Sequence, residues 1–251
     1  MDLGLKDRVY VVTGATRGLG HASARELVAD GAKVVVSGRE EKSTAEAAVA
    51  LGPNAVGVAA DNADPEAPAR LIGTARERFG RFDGILISVG GPPPGFVADN
   101  TDEQWRAAFE TVFLGTVRTA RTIAATLPAG GAIALVLSTS VRSPIPGLGI
   151  SNGLRPGLAG AAKDMADEYG PRGVRFVGLL PGRIMTDRNR QLFAATGDPE
   201  RARAEAEATI PLRRIGEPAE FGRVAAFVLS PAASYLTGVT IPVDGGALRS
   251  I

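Results

Sequence analysis

The residues best suited to chemistry in this chain come early. Thr13-Gly14-Ala15-Thr16-Arg17-Gly18-Leu19-Gly20 follows a short β-branched run and precedes a helical pattern that begins near Leu19. Glycines at 14, 18 and 20 permit a tight turn and let backbone approach a pyrophosphate, so Gly14, Thr16, Arg17, Gly18, Leu19 and Gly20 are candidate phosphate contacts. The helix N-terminus adds N–H groups and positive potential. Such a loop is weak evidence alone, and its place between a first strand and a first helix is what gives it meaning. The second strand ends Val36-Ser37-Gly38-Arg39, where an NAD-specific protein carries an acidic residue for the ribose 2′-hydroxyl. Arg39 points to a 2′-phosphate instead, with Arg17 as a second guanidinium, and so to NADP(H). The competing reading of Arg39 is solvated surface. Asp61-Asn62 follows the third strand, where an adenine ring sits in a doubly wound sheet, or else forms an Asx turn.

Other chemistries are excluded by what the chain lacks. There is no Cys and only His21 among histidines, which rules out disulfides, thiolate catalysis and His/Cys metal sites, so no metal is expected. His21, in the first helical turn, reads as structural. Gly149-Ile150-Ser151-Asn152-Gly153 matches a nucleophile-elbow pattern, but a proline- and glycine-rich stretch precedes it in place of a strand. No His downstream can complete a triad. Lys and Arg number 28 against 27 Asp and Glu, a formal charge of +1, too small a field to argue for nucleic acid or an anionic membrane. The start lacks a signal-peptide pattern and no stretch approaches the roughly 20 apolar residues of a membrane span. A soluble cytoplasmic protein with a small-molecule substrate is the expectation.

The elements that must position these residues follow from alternation. Short β-branched runs at 9–12, 33–37, 55–58, 84–88, 132–137, 174–179 and 239–243 are separated mostly by helix-like stretches, which predicts parallel strands with crossover helices on both faces. At 251 residues with 45% hydrophobic side chains, one α/β domain spanning 1–251, a single doubly wound parallel sheet, is expected. Pro and Gly cluster at 90–95, 144–149 and 181–182, each just after a strand. These loops would rim one cleft at the carboxyl ends of the strands. Stretches 101–127 and 151–169 carry apolar residues on more than one face, which predicts a twofold mate as well as the sheet.

At this point the chain resembles the short-chain dehydrogenase/reductase family over nearly its whole length. The matching residues are Thr13-Gly14-x-x-x-Gly18-x-Gly20, Pro181-Gly182 with Thr186, Gly216-x-Pro218-x-Glu220, and Tyr235-Leu236-Thr237-Gly238 running to Val243-Asp244-Gly245-Gly246. The resemblance implies a Rossmann-type fold, a nicotinamide cofactor and a homodimer or homotetramer. It also implies that Asp61 meets adenine, that Gly90 lies by the cofactor, and that Pro181, Gly182, Ile184 and Thr186 lie at the nicotinamide end.

The departures bear on function. Where the family carries Asn-x-Ala-Gly after the fourth strand, this chain has Ser88-Val89-Gly90-Gly91 and then Pro92-Pro93-Pro94-Gly95. Aligning on Gly160, Ala166 and Glu168 puts Ser138 at the family's active-site Ser, Ser151 at its Tyr and Arg155 at its Lys. Val112 falls at its active-site Asn. A Ser hydroxyl is not tuned by a neighbouring ammonium as a phenol is, and Arg155 holds an anion or ribose without passing a proton. Tyr10, Tyr169 and Tyr235 lie elsewhere in the pattern. Three functions stay open: an NADP(H)-dependent oxidoreductase with an atypical site, a non-catalytic nucleotide sensor or partner subunit, and a non-redox lyase or isomerase on the same scaffold. The stretch 183–211 would form a helical lid that selects the substrate.

Overall fold

The computed structural model describes residues 2–250. Seven strands, β1 (Val9–Val12), β2 (Lys33–Gly38), β3 (Ala55–Ala59), β4 (Gly84–Ile87), β5 (Ala132–Val136), β6 (Arg175–Pro181) and β7 (Val239–Val243), form one sheet. Their order is β3-β2-β1-β4-β5-β6-β7 and every pairing is parallel. The order reverses between β1 and β4, the position at which a doubly wound sheet opens a crevice at its carboxyl edge. Apolar runs become strands here because both faces are covered. Val9 and Val11 enter one core layer, Tyr10 and Val12 the other, as a two-residue period requires.

The helices are α1 (Gly18–Ala29), α2 (Glu41–Leu51), α3 (Ala67–Phe79), α4 (Asp102–Ala108), α5 (Gly115–Ala124), α6 (Gly149–Tyr169), α7 (Asp187–Ala194), α8 (Pro199–Ala208) and α9 (Pro218–Leu229). Helices α3, α5 and α6 pack on one face, and α1, α2 and α9 on the other. Two features matter for the site. The helix expected over 101–127 is broken by a π-helical turn, Phe109–Leu114, between α4 and α5. Just after it, Gly115 lies so close to the carbonyl of Asn62 that a Cβ has no room. Strand β5 ends at Val136, which leaves Ser138 beyond the sheet edge as the cap of a 3₁₀ turn, Thr139–Val141.

Helix α6 contains Pro156. Proline has no N–H to give, so the carbonyl of Asn152 loses its helical partner. The Asn152 side chain ties this turn to the preceding loop instead, accepting from Ile145 N at 3.0 Å and donating to Ile145 O at 2.9 Å.

Candidate active site

The glycine loop takes the conformation its sequence asks for. Gly14 and Gly18 have φ of 57° and 62°, the left-handed region that L side chains avoid. A Cβ on Gly14 would lie 2.5 Å from the carbonyl oxygen of Ser88. Thr13 Oγ1 donates to Ser88 O and accepts from Ser88 N, both at 2.9 Å, which ties the end of β1 to the loop after β4. Arg17 is the N-cap of α1, with no side-chain cap and no acidic residue in the first turn, so the helix end is left to an external anion. Arg17 and Arg39 are exposed and make no ion pair among the described residues. Thr16 packs its methyl over Gly38 at the end of β2, and Leu19 and Gly20 open α1. His21 Nδ1 lies 3.1 Å from Ala15 O, a structural contact.

Around this loop the structure gathers most of the residues singled out in the sequence. Gly90 has open space where a Cβ would sit. Pro181 ends β6, and Gly182 lies against the backbone of Asp244. Ile184 is buried, and its carbonyl accepts from Thr186 N at 2.7 Å and from Asn189 Nδ2 at 2.6 Å. Thr186 starts α7 and places its methyl beside Gly18. Asp61 forms an Asx turn, its Oδ1 accepting from Ala63 N at 3.0 Å, which is compatible with an adenine beside it, while Asn62 is half-buried beside Gly115.

At the inner end of the cleft the arrangement differs from the expectation. The Ser138 hydroxyl accepts from Ser140 N at 3.1 Å within the 3₁₀ turn. It is Ser140, 3% exposed, that faces Ser151, 6% exposed, with the two Oγ atoms 3.4 Å apart. Ser140 escaped the sequence reading, which placed only Ser138 at the family's active-site Ser position.

One helical turn beyond Ser151, Arg155 is 5% exposed and donates to Val136 O at the end of β5. Its Nε has no acceptor. Burial pulls its pKa down to about 10, and the nearby Arg188 guanidinium pushes the same way; it remains a cation at neutral pH. Arg188, on α7, donates to Pro92 O at 3.2 Å. Its guanidinium lies directly over Gly91, so a larger residue there would have to push it aside.

The triple-proline loop is bolted to the approach of α6 by Gly95 N to Gly147 O at 2.7 Å and Gly149 N to Gly95 O at 2.8 Å. Val112 is buried in the π turn. No tyrosine reaches this point: Tyr10 is buried and donates to Leu229 O, Tyr169 ends α6 beside Phe176, and Tyr235 is fully exposed.

A family model described as Enoyl-(Acyl carrier protein) reductase matches residues 14–247. Dehydrogenase/reductase SDR family member 4 of Homo sapiens is 34% identical over 252 residues, covering 96% of this chain and 88% of that protein. The chain belongs to the short-chain dehydrogenase/reductase family. Another relative in this oxidoreductase family is an L-rhamnose 1-dehydrogenase (NAD(P)(+)) of Azotobacter vinelandii, 32% identical over 252 residues, with 96% and 97% of the two chains covered. Among solved structures, L-sorbose reductase from Gluconobacter frateurii, complexed with NADPH and L-sorbose, superposes with a TM-score of 0.93 at 28% identity over 100% of both chains. Among the described residues no helix is long and apolar enough to cross a membrane, and no group of His, Cys, Asp and Glu could hold a metal.

Proposed function

We propose that this short-chain dehydrogenase/reductase is an NADP(H)-dependent carbonyl reductase or alcohol dehydrogenase with an atypical site, in which Ser151 and Arg155 stand where the family carries Tyr and Lys. The observation that carries the cofactor is the uncapped N-terminus of α1 beside the unpaired Arg17 and Arg39. The NADPH complex of the sorbose reductase supports the same choice. The cofactor, when bound, supplies hydride to the carbonyl carbon. Gly14–Gly20 and the α1 N-terminus hold its pyrophosphate, Arg39 its 2′-phosphate, and Gly90, Pro181, Gly182, Ile184 and Thr186 line its nicotinamide end; Asp61 and Asn62 flank its adenine. Ser151 holds the carbonyl oxygen and protonates the alkoxide. Ser140, 3.4 Å from Ser151, returns a proton to it and takes one from water, the hydroxide so formed leaving to bulk solvent, with Ser138 fixing the Ser140 backbone. Arg155 keeps its charge beside the developing oxyanion and donates no proton.

Residues 1–251 act as one domain in this reading, working in the cytoplasm as a homodimer or homotetramer. Titration should show NADPH binding at least about tenfold more tightly than NADH, with Arg39→Asp removing the preference, because a charge-assisted contact is worth roughly 1.5–3 kcal/mol. Equal binding of NADH by the wild type would sink the assignment. One observation favours a second reading, a nucleotide sensor without turnover: the Ser140–Ser151 pair contains no group that titrates near neutrality. Single-turnover oxidation of bound NADPH by a carbonyl panel separates the two.

A further inference from the structure

Arg155 and Arg188 converge from α6 and α7 on the region between the proline loop and the end of β5. Neither has a carboxylate within ion-pair distance among the described residues. The acid beside Arg188 in sequence, Asp187, is engaged with Arg190 at 2.8 Å. Arg155 is buried with an orphaned Nε, and the charge it feels is another cation. A buried guanidinium without a counter-charge is costly. Arg155 is the buried member of the pair and Arg188 the exposed one on α7, and what such a pair of cations lacks is an anion. The loop opposite reinforces this. Pro92, Pro93 and Pro94 have no N–H to offer, so an oxyanion there finds its donors on the arginines.

We infer that the substrate carries an oxyanion, a carboxylate or a phosphate group, seated between Arg188 and Arg155, and that Arg188 is the specificity-determining residue. The inference deepens the carbonyl-reductase reading, resting on it for what reacts beside the anion but not for the anion site itself. Arg188 suits the role because it lies on the lid helix and crosses to Pro92: a substrate anion that takes over one of its donors links α7, the proline loop and α6 at once.

The test uses oxalate and inorganic phosphate as probes, titrated calorimetrically into the full chain at constant ionic strength with saturating NADPH. It is repeated without cofactor and with the variants Arg188→Gln, Arg188→Lys and Arg39→Asp. At least one probe should bind the wild type about tenfold more tightly than Arg188→Gln, with Arg188→Lys between them, because a charged donor is lost in one and only its fork geometry in the other. The better probe identifies the anion as carboxylate or phosphate. Arg39→Asp should leave that affinity within about twofold while weakening NADPH, so a failed cofactor assignment and a failed anion site give different patterns. Binding of both probes to Arg188→Gln as tight as to wild type, or no binding of either to wild type at millimolar concentration, overturns the inference. A wild-type KM for 4-oxopentanoate at least about tenfold below that for its methyl ester, with kcat little changed, would support it further.

Discussion

Arg155 sits in a place where a methionine would be more comfortable. It is 5% exposed, its Nε is unpaired, and one backbone carbonyl is its recorded acceptor. Because burial lowers its pKa, the cost of holding the charge is fully present below about pH 10 and is relieved only as pH rises through that value. Arg155→Met should therefore raise the melting temperature of the ligand-free protein, by about 2–4 °C for each kcal/mol regained. A fall in calorimetric Tm would mean the Val136 contact outweighs desolvation. The catalytic counterpart concerns the neighbouring hydroxyl. A positioned, tuned acid is worth roughly 10²–10⁴ in rate, so Ser151→Tyr with Arg155→Lys should create or raise NADPH consumption with simple ketones that the wild type reduces poorly. Robust wild-type reduction of such ketones, with Ser151→Ala harmless, would reveal a different proton donor. At this scale the glycine loop was legible because it sits a fixed step from a strand end, and the reading of Arg39 rests on the same spacing. Ser140 and Arg188 were not, since what singles them out is contact across the fold: Ser140 with Ser151, and Arg188 with a proline loop 96 residues earlier.

Elements were legible where burial on both faces forces a continuous apolar run, and all seven strands appear within a residue or two of their expected bounds. The π turn was not, because no local pattern of residues 109–114 marks it, and Gly115 just after it meets the carbonyl of Asn62 from another part of the chain. The entry to α9 shows how a local signal becomes an energetic one. Glu217 and Glu220 form a capping box, and Arg214 makes a paired contact with Glu220 at 2.6 and 2.7 Å. The Arg214 guanidinium, with the backbone N–H of Glu217, brings the Glu220 carboxyl down to about 2. Its contribution is thus present above the ordinary carboxylate range and is lost as pH falls toward 2. The pair is partly solvated, so screening limits its worth to about 1 kcal/mol. Glu220→Gln should lower Tm at pH 7 by a few degrees, and thermal melts should show the gap closing between about pH 4.5 and 2. A gap that persists at pH 2 would assign the effect to the cap rather than the charge.

Over the whole molecule, the outer faces of α4, the π turn and α6 are more apolar than a free surface needs. Phe109 is 45% exposed and stacks on Phe113 at 5.3 Å, while Phe113 and Trp105 lie over Gly157 and Gly153 of α6. Such a ridge and groove of rings and glycines suits a self-complementary twofold contact. Light scattering at micromolar concentration should give a dimer or larger, and Phe109→Glu should shift it toward monomer without changing the far-ultraviolet circular dichroism. A wild-type monomer would end the proposal.

Pro156 gives the molecule a seam of a different kind. Pro156 removes one helical bond, at the carbonyl of Asn152, from the first turns of α6, and tertiary contacts add to what holds them: Gly149 to Gly95, Asn152 to Ile145, Arg155 to Val136. The turn bearing Ser151 should therefore open at a different free energy from residues 158–168. Amide exchange on the two sides of Pro156 checks this, and a ligand held by Arg155 should slow it in the first turns of α6 more than beyond the proline, which would couple occupancy of the cleft to the order of the turn that carries Ser151.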